Sequence, residues 1–282
     1  MNSKLLLVEG LPSTGKTTIA QIIKSILDEE NINNEIYLEG NLDHPADYDR
    51  VAYFSKEEYI YFLEGNRKYQ DLIEKITEAK EEGYFIRYSK QKKKLADKFP
   101  DELFKKIYQR DIYELPLELN KKLILNKWQR FADKAKKEDK VYIFECVFIQ
   151  NPITVSIISE NEPKEYAFNY VMDLLNIVEE LNPKLFYLQQ DNIEESFQKV
   201  INERPEWWLD FFIDYYNKRE FGKANNFQGL EGTFKGLKKI DEIQLELFHK
   251  LNMEKYIINN SHYDEDKIKS KLKNLLLKIN DK

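Results

Sequence analysis

Residues 10–17 read Gly-Leu-Pro-Ser-Thr-Gly-Lys-Thr, the spacing G-x-x-x-x-G-K-[ST] of a loop that cradles a polyphosphate. Gly10 and Gly15 allow a tight turn and close backbone approach to an anion. Pro12, Ser13 and Thr14 fill the loop, whose N–H groups point inward with the dipole of the helix that follows. Lys16 is placed to reach the β- and γ-phosphates as a compact cation. Thr17 offers a hydroxyl to Mg²⁺, and Thr18 lies in the same helical turn, within reach of an α-phosphate.

Further candidates are carboxylates and arginines. Glu145 interrupts the apolar run Val-Tyr-Ile-Phe-Glu-Cys-Val, where an unpartnered carboxylate is costly to bury. At the end of a strand beside the loop it can hold Mg²⁺ or take a proton; otherwise it faces solvent. Glu39 follows the second apolar run and can act as base on an acceptor, while Asp43, beside His44 and Pro45, either binds the acceptor or shapes a turn. Arg204 closes the segment 192–204, where it can cover a transferring phosphoryl group or merely satisfy a helix dipole. Arg219 and Lys223 are weaker versions of the same idea. Arg50, Arg67, Arg87 and Arg110 lie among aromatics and suit either a planar or anionic acceptor or plain helix packing. Trp207 and Trp208 could cap the cleft but read rather as core anchors. Cys146 reads as a small buried hydrophobe, and His44, His249 and His262 have no metal-ligand spacing, so zinc is not expected.

These residues need a frame. Leu5–Glu9, Glu35–Leu38, Val141–Val147, Leu185–Gln189 and Lys255–Ile258 read as five short strands separated by helical patterns, which predicts βαβ crossovers and a parallel sheet covered on both faces. The helix after the loop carries Ile19, Ala20, Ile22, Ile23, Ile26 and Leu27 at helical spacing. Residues 53–140 read as a helical insertion, with helices over 56–80, 103–113 and 116–137, a strand-like run at 84–88 and a lysine-rich stretch at 90–98. Asp264–Ile279 reads as a closing amphipathic helix capped by Asp264 or Ser261. Four of the nine glycines fall in 222–236, which reads as a mobile loop able to cover a site.

Composition sets outer bounds. The 282 residues suffice for one large domain, and 42% hydrophobic content with 18 tyrosines and 17 phenylalanines supports an aromatic core. A net charge of −6 argues against a general nucleic-acid binder. A single cysteine excludes an intrachain disulfide and suits a reducing, cytoplasmic setting. No run approaches the roughly 20 apolar residues of a membrane span, and the first strand begins too early for a signal peptide.

The chain resembles the P-loop small-molecule kinases, the nucleoside and nucleotide kinase clan that includes thymidylate kinase. The resemblance rests on Gly10–Thr18, the acidic end of strand two at Tyr37-Leu-Glu-Gly40, strand three ending in Glu145, the arginine-bearing segment Asn192–Arg204, and the tail Tyr256–Asp264 before the last helix. It implies an α/β P-loop three-layer sandwich: one domain, 1–282, with a five-stranded parallel sheet and the 53–140 helical insertion on the acceptor side. It also implies an ATP- and Mg²⁺-dependent enzyme that moves a γ-phosphoryl group to a small hydroxyl- or phosphate-bearing acceptor. Lys16, Glu39, Glu145 and Arg204 would be catalytic, and Thr17 and Glu145 would hold the metal. Where the family has arginine after the strand-three acid, this chain has Cys146, and the insertion is longer than usual; the acceptor is therefore open. A nucleotide-hydrolysing switch acting on a partner is the alternative.

Overall fold

The computed structural model describes residues 2–88 and 100–277; the 90–98 lysine stretch lies outside them. The chain forms two compact units, one of Met1–Glu39 with Trp128–Lys282 and the other of Gly40–Lys127.

The first unit is built on strands β1 (Leu5–Gly10), β2 (Asn34–Tyr37), β6 (Val141–Glu145), β7 (Lys184–Gln189) and β8 (Glu254–Asn259). They pair in the order β2-β6-β1-β7-β8, parallel throughout. All five expected strands are present within a residue or two. Alternation along each strand splits the core into two layers. Leu6, Val8, Ile143, Phe186 and Leu188 face the helices Lys16–Glu29 and Glu265–Leu277, meeting Ile23, Ile26, Leu27 and Leu272. On the other face Tyr142 and Phe144 pack edge-on against Phe131 and Trp128, and Tyr187 meets Phe248. The sheet is thus covered on both sides, as near-continuous apolar strands require.

Strand order fixes where a ligand can sit. From central β1 the chain goes out to one side for β2 and β6, then crosses to the other for β7 and β8. The loops after β1 and β6 therefore part at a topological switch point on the carboxyl edge, where open α/β sheets leave a crevice.

Local caps set the helix ends. Asn192 accepts from the Glu195 amide at 3.1 Å to open helix Ile193–Glu203, which stops before Pro205. Asp264, not Ser261, caps the last helix through the Lys267 amide at 3.2 Å; the Ser261 hydroxyl instead accepts from the Asp191 amide.

The expectation of a mobile 222–236 loop is overturned. Helices Glu220–Ala224 and Gly229–Lys250 occupy it; Gly222 and Gly232 serve close packing, whereas Gly229 opens the second helix at a φ of 58° with open space around it. A Cβ on Gly222 would lie 2.2 Å from the Tyr216 carbonyl oxygen, and one on Gly232 2.8 Å from the Phe227 backbone.

The second unit is mixed: the strand-like run expected at 84–88 is a strand, and two further strands absent from the 53–140 reading pair with it. The expected helix over 56–80 splits at Gly65 and again at Thr77. It gives helices Lys56–Glu64 and Gln70–Ile76 and then strand β4 (Thr77–Lys80). Together with β3 (Ala52–Phe54) and β5 (Gly83–Ile86), β4 forms an antiparallel sheet in the order β3-β5-β4. The break has a local cause: Thr77 is β-branched, and its hydroxyl donates back to the Ile73 carbonyl at 2.6 Å. The 103–113 pattern gives helix Asp101–Tyr108 and a single turn at Ile112–Glu114, and 116–137 gives helix Leu117–Ala135. Ala52, Phe54, Tyr59, Ile73, Ile86 and Ile107 make this unit's own core. Among the described residues, no helix is long and apolar enough to cross a membrane.

Candidate functional site

The loop after β1 has the backbone that its glycines foretell. Gly10, Ser13 and Gly15 all have positive φ, at 142°, 70° and 87°. Left-handed residues in a short loop allow backbone N–H groups to turn toward one concavity, as in anion nests. Gly15 is also the left-handed residue that opens helix Lys16–Glu29. A Cβ there would lie 2.5 Å from the Asn260 amide nitrogen, and one on Gly10 2.6 Å from the Leu188 carbonyl. The Lys16 ammonium is buried and folded inward, donating to the carbonyls of Gly10 at 3.0 Å and Leu11 at 2.7 Å.

Other elements brace the loop from behind. Asn260, just past β8, donates through Nδ2 to the Thr14 carbonyl at 2.8 Å, and Gln190, just past β7, donates to the same oxygen at 3.3 Å. The Thr14 hydroxyl donates to the Leu11 carbonyl at 2.8 Å. Ser196 donates to the Ser13 carbonyl at 3.1 Å and meets the Tyr263 hydroxyl at 2.9 Å. The ends of β7 and β8 and the helix after β7 therefore converge on one turn.

Glu145 closes β6 directly across from the loop. Its two carboxylate oxygens accept from the Thr17 hydroxyl at 2.7 Å and the Glu39 amide at 3.1 Å. Burial raises its pKa, against the pull of Thr17, the Glu39 amide and Lys16. The Glu39 side chain is exposed, with its carboxylate 3.5 Å from the Cys146 sulfur and 3.4 Å from the Gln150 amide nitrogen. Cys146 is buried and has a positive φ of 70°. Burial pushes its thiol well above the ordinary range, which keeps it protonated.

Donor atoms of Glu39, Glu145 and Cys146 lie within 4.8 Å of one another. A hard cation such as Mg²⁺ takes oxygen ligands, so Thr17, Glu145 and Glu39 suit it, whereas a protonated thiol does not.

One cavity of about 810 Å³ gathers most of these groups. Pro12, Ser13, Gly15, Lys16, Thr17 and Thr18 line it, as do Glu39, Glu145 and Arg204. Gly10 and Thr14 support the turn without lining it. Arg204 ends helix Ile193–Glu203 and lies 5.9 Å over the Trp208 ring. Arg219 and Lys223 are not among the lining residues: Arg219 lies over Tyr215, and Lys223 pairs with Glu220 at 2.7 Å. Asp43 belongs to the second unit, where it pairs with Arg87 at 3.5 Å. Arg110 there binds Glu58 at 2.6 Å.

Trp207 and Trp208, weighed between cleft cap and core anchor, both line the cavity: Trp207 is 68% exposed, while Trp208 also stacks on Phe212. Two features escaped the sequence reading. Tyr263 lines the same space at a positive φ of 48°; nothing in its sequence neighbourhood marks it out. Glu9, the last side chain before Gly10, is fully buried. Its two oxygens accept from the Phe148 and Gln150 amides at 2.7 and 2.9 Å. Burial pushes its pKa up to about 7, against the pull of those amides. A lone glutamate in the otherwise apolar run Leu-Leu-Leu-Val-Glu was the available signal. No protein-family model matches the chain, and no curated protein matches it in sequence.

Proposed function

We propose that this chain is a Mg²⁺- and ATP-dependent phosphotransferase acting on a small acceptor. The observation that carries this reading is the contact between Thr17 and Glu145 at the rim of the left-handed loop. It sets a hydroxyl and a carboxylate side by side at the loop's rim, where together they would hold a metal that offsets phosphate charge. The central β1 and the switch point beside it support the same placement.

In this reading the loop amides and Lys16 hold the triphosphate. Thr17 and Glu145, with Glu39 nearby, hold Mg²⁺, which when bound neutralises charge on the phosphoryl oxygens. Both Glu145 oxygens already accept hydrogen bonds, so Glu39, exposed on the cavity wall, is the better base. The acceptor oxygen forms a bond to the γ-phosphorus as the bond from that phosphorus to the ADP oxygen breaks, and the acceptor proton passes to Glu39 and then to solvent. Arg204 covers the charge that spreads over the equatorial oxygens.

The test is incubation with γ-labelled ATP and a pool of small metabolites, using wild type and Lys16→Ala. Label on an organic product, lost in the variant, is expected. Label only in free inorganic phosphate would replace this reading with a nucleotide-hydrolysing switch. Full turnover by Lys16→Ala would remove the loop from the chemistry.

A further inference from the structure

Among the described residues, the Glu39 carboxylate meets two side chains, and both come from a single turn. The Cys146 sulfur lies 3.5 Å from one oxygen and the Gln150 amide nitrogen 3.4 Å from the other. These residues are the two ends of the turn that follows β6. Cys146 leaves the strand at a φ of 70°, and its carbonyl accepts from the Asn151 amide at 3.1 Å, which closes the turn on itself. Val147, Phe148 and Ile149 between them are buried, and backbone amides in such a place need partners.

Glu9 supplies them. Its oxygens accept from the Phe148 and Gln150 amides, and one residue earlier the Val8 carbonyl accepts from the Cys146 amide at 3.1 Å. Val8 and Glu9, the last residues before Gly10, thus hold the turn along its whole length. An ionised carboxylate accepts from both amides, whereas glutamine in the same place would turn its own N–H toward one of them. Glu9 is fully buried and is not among the residues lining the cavity, so it meets no ligand. Satisfying two buried amides would account for a glutamate here. It would not account for the next step in the chain of contacts, in which the gripped turn supplies both side chains on Glu39.

We infer that Glu9 is a positioning residue: it fixes the 146–150 turn and, through Cys146 and Gln150, the aim of the Glu39 carboxylate. This rests on the phosphotransferase reading and adds to it a residue outside the cavity. The Glu39 side chain is exposed and would otherwise turn freely. A catalytic group displaced by about 1 Å loses on the order of a hundredfold in rate, so an anchor behind the base has a direct kinetic consequence.

The experiment has two arms, both run above the Glu9 pKa of about 7. The first uses the chain's single cysteine as reporter. Reaction of Cys146 with a chromogenic aromatic disulfide is timed in wild type, Glu9→Gln and Leu272→Ala, the last opening a cavity in the core under the final helix. Glu9→Gln is expected to react about tenfold faster than either of the others. A rate no greater than either overturns the inference.

The second arm follows label from γ-labelled ATP into the organic product of the metabolite pool. Glu9→Gln should lower the rate at saturating ATP about tenfold, with KM for ATP within twofold of wild type. Since Glu9 works through Glu39, the double variant Glu9→Gln/Glu39→Gln should be no slower than Glu39→Gln alone. Losses that multiply in the double variant, or a full rate in Glu9→Gln, overturn the inference and leave Glu9 a residue of the fold only. If Glu9→Gln does not fold, Gln150→Ala, at a half-buried position, tests the same link. It should slow transfer without slowing Glu39→Gln further, and wild-type transfer by Gln150→Ala overturns the inference. A wild type that labels no organic product, with Cys146 still reacting faster in Glu9→Gln, supports the grip of Glu9 on the turn and sinks the phosphotransferase reading instead.

Discussion

Thr17 donates its hydroxyl to Glu145 at 2.7 Å, although 128 residues separate them. The contact joins the first turn after the phosphate loop to the end of β6, and parallel pairing of β1 with β6 sets its register through Val8 and Glu145. Removing one partner leaves the other stranded in a partly buried place, which costs about 1–3 kcal/mol. Thr17→Val should therefore lower stability modestly. The larger expected effect is loss of the thermal stabilisation that Mg²⁺-ATP gives over Mg²⁺-free ATP. A Thr17→Val protein with the same metal-dependent shift as wild type would dissociate this pair from the metal.

Glu9 gives a pH dependence with a definite sign. Its folded pKa of about 7 lies above its ordinary 4.5, so the folded state binds the proton more tightly than the unfolded state. The stability this contributes is fully present below about pH 4.5 and is lost as pH rises through about 7, a change on the order of 3 kcal/mol. Urea unfolding at several pH values should show that decline in wild type and its absence in Glu9→Gln. Parallel profiles for the two proteins would mean that Glu9 does not titrate in this window.

Asn260 reaches the phosphate loop from the far end of the chain, through its 2.8 Å bond to the Thr14 carbonyl. Asn260→Ala removes this brace and opens space against Gly15. We expect ATP-analogue affinity to fall roughly tenfold, equivalent to about 1.4 kcal/mol, with secondary structure retained by circular dichroism. Calorimetric titration that returns the wild-type affinity would show that the loop holds its shape alone.

Three glycines of 222–236, Gly222, Gly232 and Gly236, have close neighbours and should behave as packing residues. Gly222→Ala and Gly232→Ala drive a methyl into backbone at 2.2 and 2.8 Å and should each cost about 1–3 kcal/mol. Gly236→Ala meets only side chains, the nearest at 3.1 Å, and should cost less; in a helix interior, alanine's higher propensity offsets part of the clash. Equal melting temperatures for the three variants would restore the picture of a loose loop.

The turn at residues 10–18 was legible because it is local. Glycine's left-handed freedom, a lysine and a hydroxyl at fixed offsets, and an apolar strand before an amphipathic helix are all properties of neighbours along the chain. The five parallel strands were legible for the same reason, as was Asp264 as one of two candidate caps. The reading failed at 56–80, where helical periodicity continued through Gly65 and Thr77 and only pairing with β5 revealed a strand. It failed again at 222–236, where glycine is permissive in a loop and equally useful where two helices nearly touch.

By itself, the sequence determined a glycine-hinged turn at residues 10–17, its flanking strand and helix, and the apolar runs that had to become a covered sheet, since these depend on backbone preference and side-chain spacing over a few residues. Tertiary structure alone decided the order of the strands and the convergence of Thr17, Glu39 and Glu145. It alone turned Trp207 and Phe211 outward to line the cavity and clamped Glu9 on the amides of Phe148 and Gln150. Each of these is a contact across dozens of residues or more, or a choice of which helix face stays uncovered. Such contacts are set by how the layers close on one another, which no local pattern encodes.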